Sequence, residues 1–265
     1  MPFLRYLNLS PSADERTGYP FSVPALRNLA CLELDSPVTF FVGENGSGKS
    51  TLLEAIALKA KLPSATGTPL ELDETIEAVK PLAGAMTLAW RLRTRFGFYL
   101  RAEDFFNFAR QLKERAKGLD RLVEQHADDP RVAGYMAAQR HALDSRYGED
   151  LHQLSHGESF LKFFQSRMSD SGLYLIDEPE AALSPQRQLS FLYLLKGVVD
   201  CNAQFIIATH SPILLAFPGA RILTFDEDGV RPVEFEALEH VTITRNFLAD
   251  PARFFRHFDD ARNDD

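Results

Sequence analysis

VTFFVGENGSGKSTLL, residues 38–53, is the stretch from which the fold of this chain is predicted. The apolar run at 38–42 indicates a buried strand, and an apolar pattern of helical spacing begins at Leu52. Between them, residues 43–50 match G-x-x-x-x-G-K-[ST] at every fixed position. A strand, a glycine-rich loop and a helix in this order are typical of a phosphate-binding loop. We therefore predict an α/β fold with a central, mostly parallel sheet.

Each residue type in this loop suits the phosphates of a nucleotide. Glycine allows main-chain angles that are closed to other residues, so that successive N–H groups turn toward one anion. Lys49 adds a mobile positive charge, and the Ser50 hydroxyl is placed to ligate Mg²⁺. The N-terminus of the following helix attracts the same phosphates. The predicted nucleotide contacts are Gly43, Glu44, Asn45, Gly46, Ser47, Gly48, Lys49, Ser50 and Thr51.

The composition is that of an ordinary globular protein. A chain of 265 residues with 45% hydrophobic residues can form one large or two small domains. No run reaches 18 apolar residues and the first ten residues lack the apolar core of a signal peptide, so we expect no transmembrane segment and a cytoplasmic location. Cys31 and Cys201 have no metal-ligand spacing and are expected to be small core residues.

Basic residues are concentrated in one part of an acidic chain. The net charge of −8 argues against a protein that coats nucleic acid without specificity. Residues 91–121 nevertheless contain nine basic and four acidic side chains. The ordinary explanation is a solvated helix face, and the alternative is a site for a polyanionic partner such as DNA.

Hydrophobic periodicity divides the chain into a first half with a helical insert and a second half of alternating strands and helices. In the first half we predict strands at 3–9 and 29–34, a helix at 49–62, a hairpin of strands 86–92 and 96–101, and a mostly helical segment at 104–168. In the second half we predict strands at 173–176 and 204–208, a helix at 185–199, a hairpin at 221–235, and a final helix after Asp250. Tyr19, in the loop between the first two strands, is either a ring that covers a bound base or a packed surface aromatic.

Polar side chains follow two of the predicted strands of the second half. Asp177 and Glu178 come directly after LYLI, and His210 follows FIIAT. In open α/β sheets ligands lie beyond the carboxyl ends of the strands, where the phosphate loop must also lie. We therefore expect Asp177 to hold Mg²⁺, Glu178 to deprotonate the attacking water and His210 to bond the terminal phosphate or that water. Two acidic residues that merely open a loop are the alternative.

A third motif, LSHGE at 154–158, precedes an apolar helical pattern. Ser155 and Glu158 have the spacing of a capping box, which is a purely structural feature. The same geometry leaves free N–H groups at a helix start, and hence a second possible anion site.

Taken together, these motifs resemble those of ABC-type P-loop ATPases over nearly the whole chain. GENGSGKST resembles the Walker A motif, LYLIDE the Walker B motif, LSHGE the signature and THSP the switch histidine. The resemblance implies an ATPase that uses ATP and Mg²⁺ and forms a homodimer on ATP binding, with Ser155 and Gly157 of one subunit covering the ATP of the other. It implies an N-terminal antiparallel β subdomain, a core lobe of residues 1–103 and 169–265, and a helical lobe of residues 104–168 with the signature.

Several residues depart from the transporter pattern. His156 and Glu180 stand where transporters usually carry glycine and threonine, and Glu103 occupies about the place of the usual glutamine that ligates magnesium through water. The motifs DEPE and THSP look like the soluble branch of predicted ATPases allied to recombination, repair and phage defence, rather than transporter subunits. Three functions stay open: an ATPase that acts on a DNA or protein partner, a switch that hydrolyses slowly, and the nucleotide-binding subunit of a transporter.

Overall fold

The computed structural model describes residues 2–10, 18–65, 69–147, 156–168 and 171–255. Its strands are β1 (Leu4–Leu9), β2 (Cys31–Glu33), β3 (Val38–Gly43), β4 (Met86–Trp90), β5 (Gly97–Arg101), β6 (Leu173–Asp177), β7 (Gln204–Ala208), β8 (Arg221–Asp226) and β9 (Gly229–Pro232). Its helices are α1 (Pro24–Arg27), α2 (Lys49–Ala60), α3 (Lys80–Ala85), α4 (Ala102–Gln125), α5 (Pro130–Tyr147), α6 (His156–Arg167), α7 (Pro185–Asp200), α8 (Pro212–Leu215) and α9 (Glu239–Ala249).

The larger sheet has six strands in the order β5-β6-β7-β3-β8-β9. All neighbouring pairs are parallel except β8 and β9, which form the predicted hairpin. The carboxyl ends of the parallel strands therefore meet at one edge, and β3 ends there at Gly43 while β6 ends there at Asp177. This arrangement confirms the predicted α/β fold with a mostly parallel central sheet.

Both faces of this sheet are covered, which is why its strands read as continuous apolar runs. Successive residues of one strand point to opposite faces. Phe41 packs into the cluster that contains α2 and the smaller sheet, whereas Phe40 and Val42 pack into the cluster that contains α6 and α7. Each of these three side chains is at most 2% exposed. The two clusters hold β3, and with it the start of the phosphate loop, in a fixed position.

The smaller sheet is antiparallel, with the order β2-β1-β4, as the predicted N-terminal β subdomain requires. Buried Gln204, at the start of β7, joins it to the larger sheet. Its side-chain oxygen accepts hydrogen bonds from the N–H groups of Phe3 and Leu4, and its amide nitrogen donates to the carbonyl oxygens of Leu4 and Leu34. These bonds satisfy main-chain groups that would otherwise be buried without partners.

The predicted hairpin of residues 86–101 is wrong. β4 pairs with β1 in the smaller sheet, whereas β5 pairs in parallel with β6 in the larger one. Gly97 marks the change of sheet, because its φ is +129° and a Cβ there would lie 1.8 Å from the carbonyl oxygen of Leu173. The run Phe98, Tyr99, Leu100 is buried on both sides, as a parallel strand requires. That continuous apolar run was the signal against a two-stranded hairpin.

The helices agree with the predicted ranges more closely than the hairpin does. α5 and α6 lie within the predicted helical segment and α4 begins two residues before it, although the division of this segment from the core as a separate lobe stays a prediction. Residues 251–255 are helical, and Asp250 Oδ1 accepts a hydrogen bond from the N–H of Arg253, in agreement with the predicted cap. α9 was not predicted. Within the described residues, no helix combines the length and the apolar character needed to span a bilayer.

Two further expectations are corrected by burial. Cys31 and Cys201 are exposed rather than packed in the core. Arg101, one of the nine basic residues at 91–121, is only 8% exposed and pairs with carboxylates, so it does not contribute to a surface that binds a polyanion. Arg93 and Arg95, between β4 and β5, are exposed, and so are Lys113 and the other basic side chains of α4, as a solvated helix face predicts.

Candidate functional site

The phosphate loop is shaped by glycines in conformations that other residues rarely adopt. Gly43, Gly46 and Gly48 have φ angles of 148°, 80° and 101°. A Cβ at Gly43 would lie 2.3 Å from the carbonyl oxygen of Phe225, and one at Gly48 would lie 2.8 Å from Cγ1 of Val23. Gly43 and Gly48 are therefore required both by their angles and by the close approach of neighbouring elements.

Lys49 lies at the first position of α2 and is held by its own loop. Its Nζ donates hydrogen bonds to the carbonyl oxygens of Gly43 at 2.8 Å and Glu44 at 2.9 Å. Burial lowers the pKa of Lys49, and the nearby carboxylates of Glu178 and Asp177 partly offset this effect. The ammonium group therefore lies inside the loop, close to Asp177 at the end of β6 and to Glu178, which follows it.

Asp177 lies at the end of β6 and is 7% exposed. Burial raises its pKa to about 7, while a hydrogen bond with the Ser50 side chain acts in the opposite direction. Its Oδ1 is buried and has no hydrogen-bond partner among the described residues. A buried carboxylate oxygen without a partner is costly unless a ligand binds it. Asp177 and Ser50 together offer two oxygen ligands of the kind that Mg²⁺ prefers.

Glu178 differs from its neighbour Asp177 in both conformation and exposure. It adopts the left-handed conformation, with φ 50° and ψ 51°, and its side chain is 47% exposed. Its Oε1 lies 3.9 Å from Nε2 of His210, which lies two residues after β7. At this separation one further atom can lie within about 2.8 Å of both groups. Glu178 and His210 therefore face one small space beside the loop.

Glu180 fixes the main chain of His210. One oxygen of its carboxylate accepts a hydrogen bond of 2.5 Å from the N–H of His210. Burial raises the pKa of Glu180, and this hydrogen bond partly offsets the effect. Burial and the positive charge of Lys49 lower the pKa of His210. The residue that departs from the transporter pattern thus ties the end of β6 to the end of β7.

The other predicted site residues are placed less completely. The Tyr19 hydroxyl lies 3.1 Å from Oγ1 of Thr51, and its ring is 55% exposed beside the phosphate loop. Glu103 lies in the first turn of α4, but its side chain is outside the described residues. Ser155 is also outside them, whereas the main chain of Gly157 belongs to the first turn of α6. Their roles stay predictions.

Arg101 is a residue near the site that the sequence did not single out for this role. It ends β5, directly beside Asp177 of β6. Its guanidinium contacts the carboxylates of Glu54 on α2 at 3.4 Å, Asp73 at 2.5 Å and Asp104 on α4 at 2.9 Å. Arg101 therefore connects the helix of the phosphate loop to the start of the helical segment. The partners are 3 to 47 residues away along the chain, so no local motif marks them.

Two family models match this chain. The model described as "AAA domain, putative AbiEii toxin, Type IV TA system" matches residues 57–216, which is more than half of the chain. A second model, described as "AAA domain", matches residues 22–59 and includes the phosphate loop.

Among curated proteins, the chain is 25% identical over 218 residues to the energy-coupling factor transporter ATP-binding protein EcfA2 of Methanospirillum hungatei, which covers 82% of this chain and 52% of that protein. It is 22% identical to ABC transporter G family member 15 of Dictyostelium discoideum, with 79% of this chain and 15% of that protein covered. The chain thus spans about half the length of the first relative and much less of the second.

Similar solved structures include the SMC head domain from Thermotoga maritima, with a TM-score of 0.46, 16% identity, and coverage of 88% of this chain and 100% of that one. A nucleotide-free ATP-binding cassette from an ABC transporter has a TM-score of 0.46, 15% identity, and coverage of 95% and 96%.

Proposed function

This chain belongs to the AAA-domain ATPase family whose model covers residues 57–216, and from this premise we propose that it binds ATP with Mg²⁺ and hydrolyses it to ADP and phosphate. The observation that carries the proposal is the buried, partnerless Oδ1 of Asp177 beside Ser50 and Lys49. Three groups suited to a metal and a phosphate lie together at the sheet edge where the phosphate loop begins.

Magnesium fits the groups that are present. Asp177 and the Ser50 hydroxyl supply hard oxygen ligands, and Mg²⁺ typically takes one or two protein ligands together with phosphate and water. In the described residues there is no cluster of three or more His, Cys, Asp or Glu side chains that would form a metal site within the protein itself. When bound, Mg²⁺ supplies positive charge that neutralises the phosphates. The Ser50 bond and the positive charge of Lys49 favour the ionised form of Asp177 but are outweighed by burial, and bound Mg²⁺ would add the positive charge that keeps it ionised.

Binding of the phosphates falls to the loop and to Lys49. The left-handed glycines turn main-chain N–H groups inward, and α2 begins directly after them with Lys49. The Lys49 ammonium exchanges its bonds to the Gly43 and Glu44 carbonyl oxygens for the charged phosphate oxygens, which are stronger acceptors. The loop thus holds Lys49 in place before the nucleotide arrives.

Glu178 and His210 have different tasks in the hydrolysis step. Asp177 is buried and Glu178 half-exposed, so two adjacent carboxylates sit in two environments, which is a common basis for separate roles. Glu178 accepts the proton of the attacking water, and His210, whose lowered pKa favours the neutral imidazole, hydrogen-bonds the terminal phosphate. The 3.9 Å between the two side chains supports a water held between them and the phosphate.

We extend the proposal to an ATP-dependent homodimer in which Ser155 and Gly157 of one subunit cover the ATP of the other. Support comes from the ion pair between Glu158 on α6 and Arg187 on α7. It joins α6, whose first turn contains part of the signature, to α7, which begins at Pro185. These two segments would then meet a partner subunit as one surface, and Tyr19 would lie against the base. The same proposal includes a DNA or protein partner on which the ATP-dependent dimer acts.

Replacing Glu178 with glutamine tests the catalytic role. Loss of a general base typically costs about 10² to 10⁴ in rate, so turnover of Glu178→Gln should fall by that factor while ATP binding is kept. Lys49→Ala should lose ATP binding itself. The control is Glu124→Gln, an exposed carboxylate on α4, which should hydrolyse ATP like the original protein. Turnover of Glu178→Gln at the original rate would refute the role of Glu178.

The dimer is tested by the mass of Glu178→Gln in solution, measured by light scattering with and without Mg-ATP. A monomer that becomes a dimer only with nucleotide is the expected result. A monomer in both conditions, with ATP binding confirmed, would refute the homodimer and direct the search to another partner. Background hydrolysis in the original protein, with and without DNA, would instead identify a switch that acts through its ATP-bound shape.

A further inference from the structure

His240 is a second histidine close to the proposed terminal-phosphate position, and no motif points to it. It lies in the first turn of α9, which follows the β8–β9 hairpin. The first turn is anchored on both sides of it, because Leu238 is 6% and Val241 is 3% exposed in the same core cluster as β3 and β7. The position of His240 is therefore set by packing rather than by a free surface turn.

The ionisable groups that act on His240 belong to the phosphate loop and to the segment after β7. Burial lowers its pKa first, the neighbouring imidazole of His210 lowers it further, and the carboxylate of Glu44 acts in the opposite direction. Interactions of this kind act between groups that are close in space. His210 lies two residues after β7 and Glu44 directly after β3, and these strands are neighbours in the sheet. The packing agrees with this, because α9 contacts α8, and α8 begins two residues after His210.

The hydrogen bonding of His240 is incomplete in a way that indicates a ligand. Its Nε2 is buried and has no partner among the described residues, and the same is true of Nε2 of His210. A buried polar atom without a partner destabilises the fold, so such atoms are rare except where a water, ion or ligand binds. Two of them on neighbouring imidazoles indicate a common polar ligand.

We propose that His240 is part of the nucleotide site, where its Nε2–H donates a hydrogen bond to the terminal phosphate of bound ATP alongside His210. The inference rests on the proposed function and adds a phosphate contact to it. A neutral imidazole, which the lowered pKa of His240 favours, suits this task, since it donates a hydrogen bond to the phosphate without a second positive charge beside Lys49. ADP lacks the terminal phosphate, so His240 should distinguish ATP from ADP.

The test compares two replacements of similar size in the Glu178→Gln background, where bound ATP persists. His240→Leu removes the donor, and His240→Gln keeps an N–H donor. We expect His240→Leu to weaken ATP binding by about tenfold, measured by calorimetry with Mg²⁺, and to leave ADP binding within twofold. His240→Gln should recover most of the ATP affinity. Glu239→Ala, which changes an exposed neighbour in the same helical turn, serves as the control and should bind both nucleotides like the parent.

Two outcomes would overturn the inference. Unchanged ATP binding in His240→Leu would show that the imidazole does not reach the phosphate. Equal loss of ATP and ADP binding would show that His240 only supports the fold, which thermal unfolding of the same variants would reveal independently. Failure of the proposed function would give a different result. The Glu178→Gln parent itself would then bind no ATP, or it would bind ATP equally well after the additional replacement Lys49→Ala.

Discussion

Replacing Asp177 with asparagine should stabilise the protein in the absence of metal and nucleotide. Burial raises the pKa of Asp177 from 3.8 to about 7, so the folded protein favours the protonated carboxyl. The protonated Asp177 contributes stability that is fully present below the pKa of the unfolded state, 3.8, and that is lost as the pH rises through the folded-state pKa of about 7. At about 1.4 kcal/mol per pH unit, the full cost at pH 8 is on the order of 4 kcal/mol. Asparagine carries no charge to bury, but it weakens the bond with Ser50, so we expect a gain of about 2–4 kcal/mol.

The assay is urea unfolding at pH 5, 6, 7 and 8 with a chelator present. The free energy of unfolding of Asp177→Asn should exceed that of the original protein most at pH 8, and the difference should shrink by about 1.4 kcal/mol per unit below pH 7. Asp128→Asn, an exposed carboxylate between α4 and α5, is the matched control and should show no such trend. A difference that stays constant from pH 5 to 8 would refute the argument that a buried charge is the cause.

The remaining predictions concern the contacts around the site. Glu180→Ala should lower the rate of hydrolysis, and it should lower the free energy of unfolding by about 1–3 kcal/mol, because the N–H of His210 loses its acceptor. Glu180→Gln keeps an acceptor oxygen and should keep both the rate and the stability. Similar losses in the two variants would contradict this. Arg101→Ala should lower the free energy of unfolding by about 3–5 kcal/mol, because it leaves three carboxylates without their buried partner. Urea unfolding measures this loss, exposed Arg93→Ala is its control, and equal stability of the two variants would contradict the prediction.

The sequence predicted the part of the fold that depends on local patterns. The strand at 38–42 and the strands before Asp177 and His210 are short apolar runs, each followed at once by polar residues, and a parallel sheet brings such ends to one edge. The glycine-rich loop needs its own conformation whatever the rest of the chain does. The placement of Lys49, Asp177, Glu178 and His210 around one position could therefore be predicted without any contact information.

What the sequence did not predict depends on contacts between distant segments. Strand pairing is one case: β4 and β5 are close in the chain, but the choice between a hairpin and two sheets is made by the strands they meet, β1 and β6. The surroundings of Arg101 are another, since its carboxylate partners come from three elements. His240 is a third, because a lone histidine on a helix carries no local signal, and only packing brings it beside His210.

Many of the buried polar atoms that lack hydrogen-bond partners lie around the phosphate loop. Among the described residues, such atoms occur on Ser47, Asp177, Glu180, His210 and His240, in or near the phosphate loop and the neighbouring strand ends, whereas another occurs on Thr39, near the start of β3. The clusters of apolar side chains on both faces of the sheet hold these groups in place, so the fold bears their cost. A ligand with many oxygen atoms and negative charge would relieve several of them at once. Binding of Mg-ATP should therefore stabilise the protein beyond what the loop and Lys49 alone account for, since it removes a cost already built into the fold.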